Sequence, residues 1–181
     1  MYFKKMIGKK CYLSPINVND AEKYVEWLND LEVTKNLMLY SHIISLENEK
    51  EYLGQLSKEH TYSIINSEKD ELIGNCGFHN IDNLNQTAEV GIFIGNKKYW
   101  NMGFGTEALV LLMDYGFKAL NFHNISLNVY GFNERAIKSY EKIGFKRIGI
   151  KRNALYRNMK RHDIVLMDIL VNEFYEKNKL V

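Results

Sequence analysis

The sequence predicts an α+β fold, in which one strand–helix–strand crossover lies between a strand meander and a terminal strand pair. Three segments with strand-like patterning between positions 61 and 95 predict the meander, because short polar turns separate them. A broad apolar stripe from about residue 105 to 120 predicts a long amphipathic helix, and the segment 124–129 predicts the strand that completes the crossover. With the remaining elements, these patterns predict about seven strands and about four helices in a single domain spanning residues 1–181.

The N-terminal half combines one strand and two helices with this meander. Residues CYLSPI (11–16) predict a strand that leads into a helix, and the side chain of Asn19 or Asp20 is placed to cap that helix. Apolar side chains recur at helical spacing in this first helix, and a second amphipathic helix follows Ser45. The predicted strands of the meander are 61–65, 72–81 and 87–95.

The C-terminal half contains the clearest helical signal of the chain. It lies in the helix from Gly105 to about Leu120, whose apolar residues form one broad face. A shorter helix spans residues 134–143 and ends at Gly144, a residue type that favours the left-handed conformation after a helix. Two final predicted strands, 145–156 and 162–170, flank a polar turn.

Composition argues against several classes of protein. The formal net charge of +2 gives no indication of a dedicated nucleic-acid-binding domain. Two cysteines far apart, Cys11 and Cys76, predict buried thiols rather than a disulfide framework or a metal site. The basic N-terminus lacks the apolar segment of a signal peptide, and no apolar run approaches the ~20 residues that span a bilayer. We therefore expect a cytoplasmic protein with no membrane partner and no metal ion.

The segment YWNMGFGTEA (99–108) places Gly103 and Gly105 just before the long helix. It matches the dinucleotide pattern G-x-G-x-x-A, but the preceding strand does not run directly into the first glycine, and no carboxylate follows about 20 positions later to hold a ribose. The N–H groups at a helix N-terminus nevertheless suit a pyrophosphate, with Asn101 and the Lys97–Lys98 pair as further donors. For the loop alone, a glycine-containing turn without a ligand is the simpler interpretation.

A second motif, NVYGFNERAIKSYEKIGF (128–145), changes the interpretation of this loop. Asn133 occupies the N-cap position of a helix on which Ala136, Tyr140 and Ile143 share one face. The two motifs, in this order and with this spacing, resemble those of the GNAT superfamily of acyl-CoA-dependent N-acetyltransferases. Within it, the chain is most similar to the branch of ribosomal-protein N-terminal and spermidine acetyltransferases, and the resemblance extends over nearly the whole chain.

The resemblance implies a GNAT fold, with a central mixed, mostly antiparallel sheet of about seven strands flanked by about four helices. The fourth and fifth of these strands then separate in a V-shaped splay that admits acetyl-CoA as the co-substrate. The fourth strand would bind the pantetheine arm, and the glycine loop would bind the pyrophosphate. The start of the helix at 134–143 would contact the CoA arm. The implied cofactor-binding residues are Gly91, Ile92, Phe93, Ile94, Trp100, Asn101, Met102, Gly103, Phe104, Gly105, Thr106, Asn128, Asn133, Arg135 and Ala136.

The implied reaction is direct attack of an amine on the acetyl thioester. Tyr140 matches the family's general-acid tyrosine, which protonates or hydrogen-bonds the departing sulfur. Glu89 is the first candidate for the general base, directly or through water, although an ordinary exposed carboxylate on a strand is the alternative interpretation. His79 and Asn128 are other candidates for the base. The family supplies oxyanion donors from the backbone of the fourth strand, and the reaction needs no metal.

The charge pattern leaves the acceptor open. Residues 17–60 carry nine acidic residues and four lysines, which favours a cationic amine, whereas residues 151–161 carry five basic residues and no acidic one. Both stretches are also typical of solvated surfaces. The acceptor is therefore a protein N-terminus, a polyamine or another small amine. Two other functions stay open at this point, a non-catalytic acyl-CoA sensor and an RNA- or ribosome-binding module that uses the basic stretch.

Overall fold

The computed structural model describes residues 1–179, which form one mixed sheet of eight strands together with six α-helices. The strands are β1 (Met6–Ile7), β2 (Cys11–Pro15), β3 (Thr61–Asn66), β4 (Glu71–Asp82), β5 (Thr87–Ile94), β6 (Asn124–Tyr130), β7 (Lys146–Arg157) and β8 (Lys160–Leu170). The helices are α1 (Ala21–Leu28), α2 (Leu31–Thr34), α3 (Leu46–Leu56), α4 (Phe104–Ala119), α5 (Glu134–Ile143) and α6 (Val171–Asn178). The predicted α+β class is confirmed, and the described residues hold one strand and two helices more than the sequence predicted.

The strand order across the sheet is β1-β2-β3-β4-β5-β6-β8-β7. The ladders within β1–β4 and within the β6, β8 and β7 group are antiparallel, whereas β5 and β6 are parallel. The parallel ladder begins with Thr87 beside Asn124 and ends with Glu89 beside Ser126. Helix α4 makes the crossover between these two strands, as the sequence predicts. The separation of the two strands beyond this short ladder stays a prediction.

The chain forms two compact units. The first unit contains residues 1–78 and 91–112, and the second contains residues 79–90 and the chain from Met113 on. In the first unit, side chains of β2, β3, α1 and α3 pack into one hydrophobic core around Leu53, which is fully buried. Burying such a side chain contributes about 1.5–3 kcal/mol, so this core holds the first helices against the sheet.

The second unit has its own core between β6, β8 and the C-terminal half of α4. Ile125, Met167 and Met113 are fully buried there. Helix α6 closes this core, because the buried ring of Phe174 packs against Phe117 with 5.2 Å between ring centroids. Strand β6 pairs with β8 in an antiparallel ladder, and α5 with its candidate functional residues follows β6 in the chain.

Sequence analysis did not predict three elements: β1, α2 and α6. Strand β1 has two residues and helix α2 has a single turn, which is too short for a periodicity to appear. Helix α6 follows β8 without a break, since the Glu173 carboxylate accepts a hydrogen bond from the Leu170 N–H at 3.1 Å and so starts the helix directly at the strand end.

The predicted cap of the first helix is wrong. The side chain of Asn17 caps a 3₁₀ turn at Val18–Asp20 by accepting a hydrogen bond from the Asn19 N–H at 3.1 Å. Helix α1 continues from that turn without a side-chain cap from Asp20. The carboxylate of Asp20 instead accepts a hydrogen bond from the Tyr2 hydroxyl at 3.0 Å, so this acid is turned away from the helix end.

The other predicted helix ends are confirmed. Ser45 accepts a hydrogen bond from the Asn48 N–H at 3.2 Å at the start of α3. Asn133 accepts one from the Ala136 N–H at 3.3 Å at the start of α5, and Gly144 ends that helix with φ +119°. These signals are local in sequence, which is why they could be recognised without a structure.

Both cysteines are free thiols and buried, as predicted. Burial raises the pKa of Cys11 to about 12, so this thiol stays protonated and unreactive at physiological pH. Among the described helices, none is long and apolar enough to cross a membrane.

Glu49 is an unusual member of the first unit, because it is a carboxylic acid that is only 3% exposed on α3. Among residues 1–179, no group hydrogen-bonds or ion-pairs with its carboxylate. Burial therefore raises the pKa of Glu49 from 4.5 to about 7. An unpaired buried carboxylate destabilises the folded state wherever it is ionised.

Glu49→Gln is expected to change the pH dependence of stability. The folded state holds the Glu49 proton more tightly than the unfolded state, so the stability that this proton contributes is lost as pH rises from about 4.5 to about 7. Relative to Glu49→Gln, the wild type is expected to lose about 2–3 kcal/mol of unfolding free energy between pH 5 and pH 8. Urea unfolding at both pH values measures this difference. Glu47→Gln, which changes an exposed acid on the same helix, serves as the control, and an equal pH dependence in both variants would contradict the prediction.

Candidate functional site

The glycine loop between β5 and α4 contains two residues with positive φ. Gly103 has φ +84° and Asn101 has φ +61°, which places both in the left-handed region. The first helical hydrogen bond of α4 runs from the Glu107 N–H to the Gly103 carbonyl at 3.1 Å. The N–H groups of the first turn therefore precede the hydrogen-bonded part of the helix and carry its partial positive charge.

The loop is joined to the end of β5, so the structure brings two groups of predicted cofactor-binding residues together. The indole N–H of Trp100 donates a hydrogen bond to the Ile94 carbonyl at 2.8 Å. An added Cβ at Gly105 would lie 3.6 Å from side-chain atoms of both Ile92 and Ile94, which is ordinary van der Waals contact. Packing alone therefore does not require a glycine at this position, and the missing side chain leaves the backbone of the helix start accessible.

Glu71, which the sequence shows only as an acid after a turn, anchors the start of this loop. One of its carboxylate oxygens accepts a hydrogen bond from the Tyr99 hydroxyl at 2.5 Å and the other accepts one from the Asn96 amide at 3.1 Å. The hydrogen bond to Glu71 raises the pKa of Tyr99. The ring of Tyr99 in turn packs edge-on against Phe104, with 5.1 Å between centroids. Glu71 thereby fixes the loop from its first residue to the start of α4.

Lys10 is a second contributor that sequence reasoning missed. Its ammonium donates a hydrogen bond to the Met102 carbonyl at 2.7 Å and would lie 3.2 Å from a Cβ added at Gly103. The Glu107 carboxylate accepts a hydrogen bond from the Lys10 N–H at 2.7 Å and so holds this lysine next to the loop. The ammonium of Lys97, a predicted donor, instead forms ion pairs with Asp30 and Glu32. The lysine that accompanies the glycine loop comes from 92 residues earlier in the chain.

Tyr140 lies on α5 in the second unit, and its ring packs edge-on against Phe145 with 5.8 Å between centroids. Burial raises the pKa of Tyr140 to about 12. Among residues 1–179, no group hydrogen-bonds with its hydroxyl. The ring is therefore held by packing, while the hydroxyl keeps its proton at physiological pH and is available to a substrate atom.

The three candidates for the general base lie together in the second unit. The Glu89 carboxylate is 3.4 Å from the Nε2 atom of His79 and accepts a hydrogen bond from the Asn128 amide at 3.2 Å. The Glu89 side chain is 30% exposed, so water reaches it. Asn133, Arg135 and Ala136 follow at the start of α5, where the Asn133 oxygen is used to cap the helix.

A comparison with known proteins decides the family. The family model described as an acetyltransferase (GNAT) domain matches residues 10–146. The chain belongs to the GNAT acetyltransferase family. It is therefore an acetyltransferase that uses acetyl-CoA as its co-substrate, and the predicted GNAT fold is confirmed.

Individual relatives agree with this assignment. The acetyltransferase is 32% identical over 167 residues to the uncharacterized N-acetyltransferase p20 of Bacillus licheniformis, which covers 90% of this chain and 93% of that protein. It is 30% identical over 148 residues to the probable N-acetyltransferase YjcK of Bacillus subtilis (strain 168). This match covers 76% of this chain and 81% of YjcK. The structure of a spermidine N-acetyltransferase from Vibrio cholerae in complex with CoA and spermine matches with a TM-score of 0.81 at 22% identity, over 92% of this chain and 99% of that one. The last match shows the fold alone.

The glycine loop of this acetyltransferase fits the pyrophosphate of acetyl-CoA. Two observations support the fit, the left-handed Gly103 ahead of the α4 N-terminus and the Lys10 ammonium beside it. These residues would hold the anionic part of the co-substrate.

The acidic stretch of this acetyltransferase is less exposed than its sequence indicates. The Lys97 ammonium pairs with Asp30 at 2.7 Å and with Glu32 at 2.9 Å, and the role of the Lys97–Lys98 pair as further pyrophosphate donors stays a prediction. Asp20 and Glu49 are buried. Four of the nine acids are thus paired or buried, and the attraction for a cationic acceptor depends on fewer, more specific groups than the net charge indicates.

The basic stretch of residues 151–161 is also partly occupied within the second unit. The Arg157 guanidinium lies 5.3 Å from the Tyr130 ring centroid and is buried, and the Arg161 guanidinium lies 5.3 Å from that of Tyr156. Cation–π contacts of this kind stabilise the hairpin of β7 and β8. They account for two of the five basic residues that suggested a nucleic-acid surface.

Gly103→Ala is expected to destabilise the protein by about 1–2 kcal/mol, because a side chain at φ +84° is strained and its Cβ would approach the Lys10 ammonium. Gly105→Ala is the matched control. The Cβ added in Gly105→Ala makes only ordinary contacts within a helix. The unfolding free energy of this variant is therefore expected to lie between the wild-type value and about 0.5–1 kcal/mol above it. Urea unfolding measures both variants, and an equal loss in the two would refute this account of the loop.

Proposed function

We propose that this acetyltransferase transfers the acetyl group of acetyl-CoA to a primary amine by direct attack. The observation that carries the proposal is the hydrogen bond from Trp100 to Ile94, because it joins the strand proposed to bind the pantetheine arm to the loop proposed to bind the pyrophosphate. The branch of ribosomal-protein N-terminal and spermidine acetyltransferases provides the functional analogy for this proposal. The acceptor is accordingly a protein N-terminus, a polyamine or another small amine.

The proposed binding residues form two groups. In the first unit, the strand segment 91–94 and the loop 100–106 bind the pantetheine arm and the pyrophosphate, with Lys10 as an additional cation. In the second unit, Asn128 and the start of α5 at residues 133–136 contact the CoA arm. Because the Asn133 oxygen caps α5, its amide nitrogen is the group that it offers to the co-substrate.

In the proposed reaction, the neutral amine attacks the thioester carbonyl carbon. A C–N bond forms, the C–S bond breaks, and one proton moves from the amine nitrogen to the departing sulfur. An amine with a pKa near 10, as for lysine, is mostly protonated at neutral pH, so a base has to accept its proton before attack. Glu89 is proposed to accept this proton, directly or through water.

Tyr140 is proposed to act on the departing sulfur. A free thiol has a pKa of about 8.5, whereas the pKa of Tyr140 is raised to about 12. The phenol is thus a much weaker acid than the thiol that forms, and it stabilises the developing thiolate by donating a hydrogen bond. If the phenol transfers its proton to the sulfur, it takes a proton back at once because it is the weaker acid. The proton that ends on the new thiol is therefore, in net terms, the one released from the amine.

An acceptor screen tests the proposal. The purified protein is incubated with acetyl-CoA and with polyamines, N-terminal peptides or aminoglycosides, and free thiol release is followed. Acetyl-CoA binding is measured separately by calorimetry. Thiol release that requires one class of amine supports the proposed function and identifies the acceptor class. Binding of acetyl-CoA without thiol release for every amine would overturn direct amine acetylation in favour of an acyl-CoA sensor.

A further inference from the structure

The turn between β1 and β2 is bound to the first turn of α4 by one carboxylate. The Oε1 atom of Glu107 accepts hydrogen bonds from the Lys10 N–H at 2.7 Å and from the Cys11 N–H at 3.3 Å. The turn is itself closed by a hydrogen bond from the Gly8 N–H to the Cys11 carbonyl at 2.8 Å. All of these residues belong to the first unit. The contact therefore joins two segments of one compact body that are 97 residues apart in sequence.

The missing side chain of Gly8 leaves the space that this carboxylate occupies. A Cβ added at Gly8 would lie 2.2 Å from the Oε1 atom of Glu107, far inside van der Waals contact. Any side chain at this position would therefore push the carboxylate away from the turn. Residues 8–11 of the turn and Glu107 are together called the clasp below. The two parts of the clasp fit only while position 8 carries no side chain.

The clasp places the Lys10 ammonium at the glycine loop. The backbone of Lys10 is fixed on both sides, because its N–H donates to Glu107 and its carbonyl accepts a hydrogen bond from the Ser67 N–H at 2.9 Å. The ammonium donates a hydrogen bond to the Met102 carbonyl at 2.7 Å. Its other two N–H donors have no acceptor among residues 1–179, and the side chain is exposed. They are therefore available to a ligand at the loop.

The charge at this position favours an anionic ligand. The N-terminus of α4 carries partial positive charge, which repels a cation placed next to it. The Lys10 ammonium nevertheless lies 3.2 Å from the position of a Cβ added at Gly103, the residue immediately before this helix. A pyrophosphate bound here would attract both positive groups and offset their repulsion, whereas a neutral or cationic ligand would not.

We propose that Glu107 is a positioning residue for co-substrate binding, because the clasp delivers the Lys10 ammonium to the pyrophosphate of acetyl-CoA. This inference rests on the proposed function, in which the glycine loop binds the pyrophosphate. It adds to that function a residue whose carboxylate binds the β1–β2 turn and not the co-substrate. The contribution of Glu107 to affinity therefore passes through Lys10.

Calorimetry with CoA tests this proposal without turnover. Lys10→Met is expected to raise the Kd for CoA about tenfold, because it removes a charge-assisted hydrogen bond. Glu107→Ala is expected to raise the Kd about fivefold, whereas Glu107→Gln keeps an acceptor oxygen for the turn and is expected to stay within about twofold of the wild type. The double variant of Lys10→Met and Glu107→Ala is expected to bind CoA as Lys10→Met does, since Glu107 acts through the lysine.

Gly8→Ala opens the clasp in a second way. Its Cβ displaces the Glu107 carboxylate, so this variant is expected to raise the Kd for CoA as Glu107→Ala does. Gly54→Ala is the matched control, because a Cβ added at this position on α3 meets no atom within 4 Å. Its Kd is expected to equal that of the wild type. Dephospho-CoA keeps the pyrophosphate but lacks the 3′-phosphate, and each variant is expected to lose the same factor in affinity for it as for CoA.

Several outcomes would overturn the inference. An unchanged Kd in Lys10→Met, or in both Glu107→Ala and Gly8→Ala, would do so. A Kd for the double variant well above that of Lys10→Met would show that Glu107 acts independently of the lysine. Losses that occur with CoA but not with dephospho-CoA would place Lys10 at the 3′-phosphate instead of the pyrophosphate.

Failure of the inference and failure of the proposed function give different results. The expected pattern of Kd values, without thiol release for any amine, would leave the role of Glu107 standing and overturn the proposed transfer reaction. Thiol release with one class of amine, together with Kd values that none of the variants changes, would overturn the role of Glu107 and leave the transfer reaction standing.

Discussion

Tyr140→Phe is expected to lower kcat by about 100-fold to 1,000-fold, the range typical of a removed hydrogen-bond donor to a developing negative charge. The variant keeps the ring that packs against Phe145 and loses only the hydroxyl, which makes no hydrogen bond within residues 1–179. Its stability and its KM for acetyl-CoA are therefore expected to stay near the wild-type values. Because the pKa of Tyr140 is raised to about 12, the phenol does not titrate between pH 6 and pH 9, and the loss is expected to be the same across that range.

Tyr175→Phe is the matched control for this prediction. Burial also raises the pKa of Tyr175 to about 12, but its hydroxyl hydrogen-bonds to Asp114 at 3.2 Å. This variant is expected to lose about 0.5–1.5 kcal/mol of stability and to keep its turnover, which is the opposite of the result for Tyr140→Phe. Thiol release and urea unfolding measure the two properties. If turnover were unchanged in Tyr140→Phe, the assignment of Tyr140 as the group that acts on sulfur would be discarded.

Much of the fold could be predicted because its signals are local. Asn133 and Gly144 mark the two ends of α5 within a few residues of the helix that they bound, and the structure has the helix between them. Gly103 and Gly105 mark the start of α4 in the same way. Such residues act on the backbone next to them, so their effect can be inferred from sequence without knowing what packs nearby.

The support of the candidate site could not be predicted, because it depends on residues that are distant in sequence. Glu71 holds Tyr99 from 28 residues away, and nothing in the turn that precedes Glu71 indicates this contact. Lys10 reaches the glycine loop from 92 residues away, whereas the nearby Lys97 is paired with acids of the first unit. Sequence proximity to the loop does not reveal the Lys10 contact, since the fold decides which cation is adjacent.

Burial is the other property that sequence did not show. Glu49 and its neighbours on α3, Glu47 and Glu51, are equivalent as acidic residues of one amphipathic helix. The structure separates them, because Glu49 faces the core and the other two face solvent. The charge pattern of residues 17–60 predicted a diffuse attraction for cations. The structure shows instead that two of these acids, Asp20 and Glu49, are buried, which the charge pattern alone does not indicate.

Glu89→Gln is expected to lower kcat/KM by about 100-fold or more if Glu89 accepts the amine proton. Gln is isosteric with Glu and still accepts the hydrogen bond from the Asn128 amide, so the position of the side chain is kept while its basicity is removed. Thiol release measured with a saturating concentration of acetyl-CoA gives this result.

His79→Gln separates the two neighbouring candidates for the base. His79 lies 3.4 Å from Glu89 and its side chain is 52% exposed, so it is placed to orient the carboxylate without being the proton acceptor. A reduction of kcat/KM by about tenfold or less is expected for His79→Gln. The reverse outcome, in which Glu89→Gln keeps most of its activity and His79→Gln loses it, would assign the base to His79 and leave Glu89 to orient it. If both variants kept most of their activity, a water molecule held by this pair would be the proton acceptor, since the amine still has to lose its proton before it attacks.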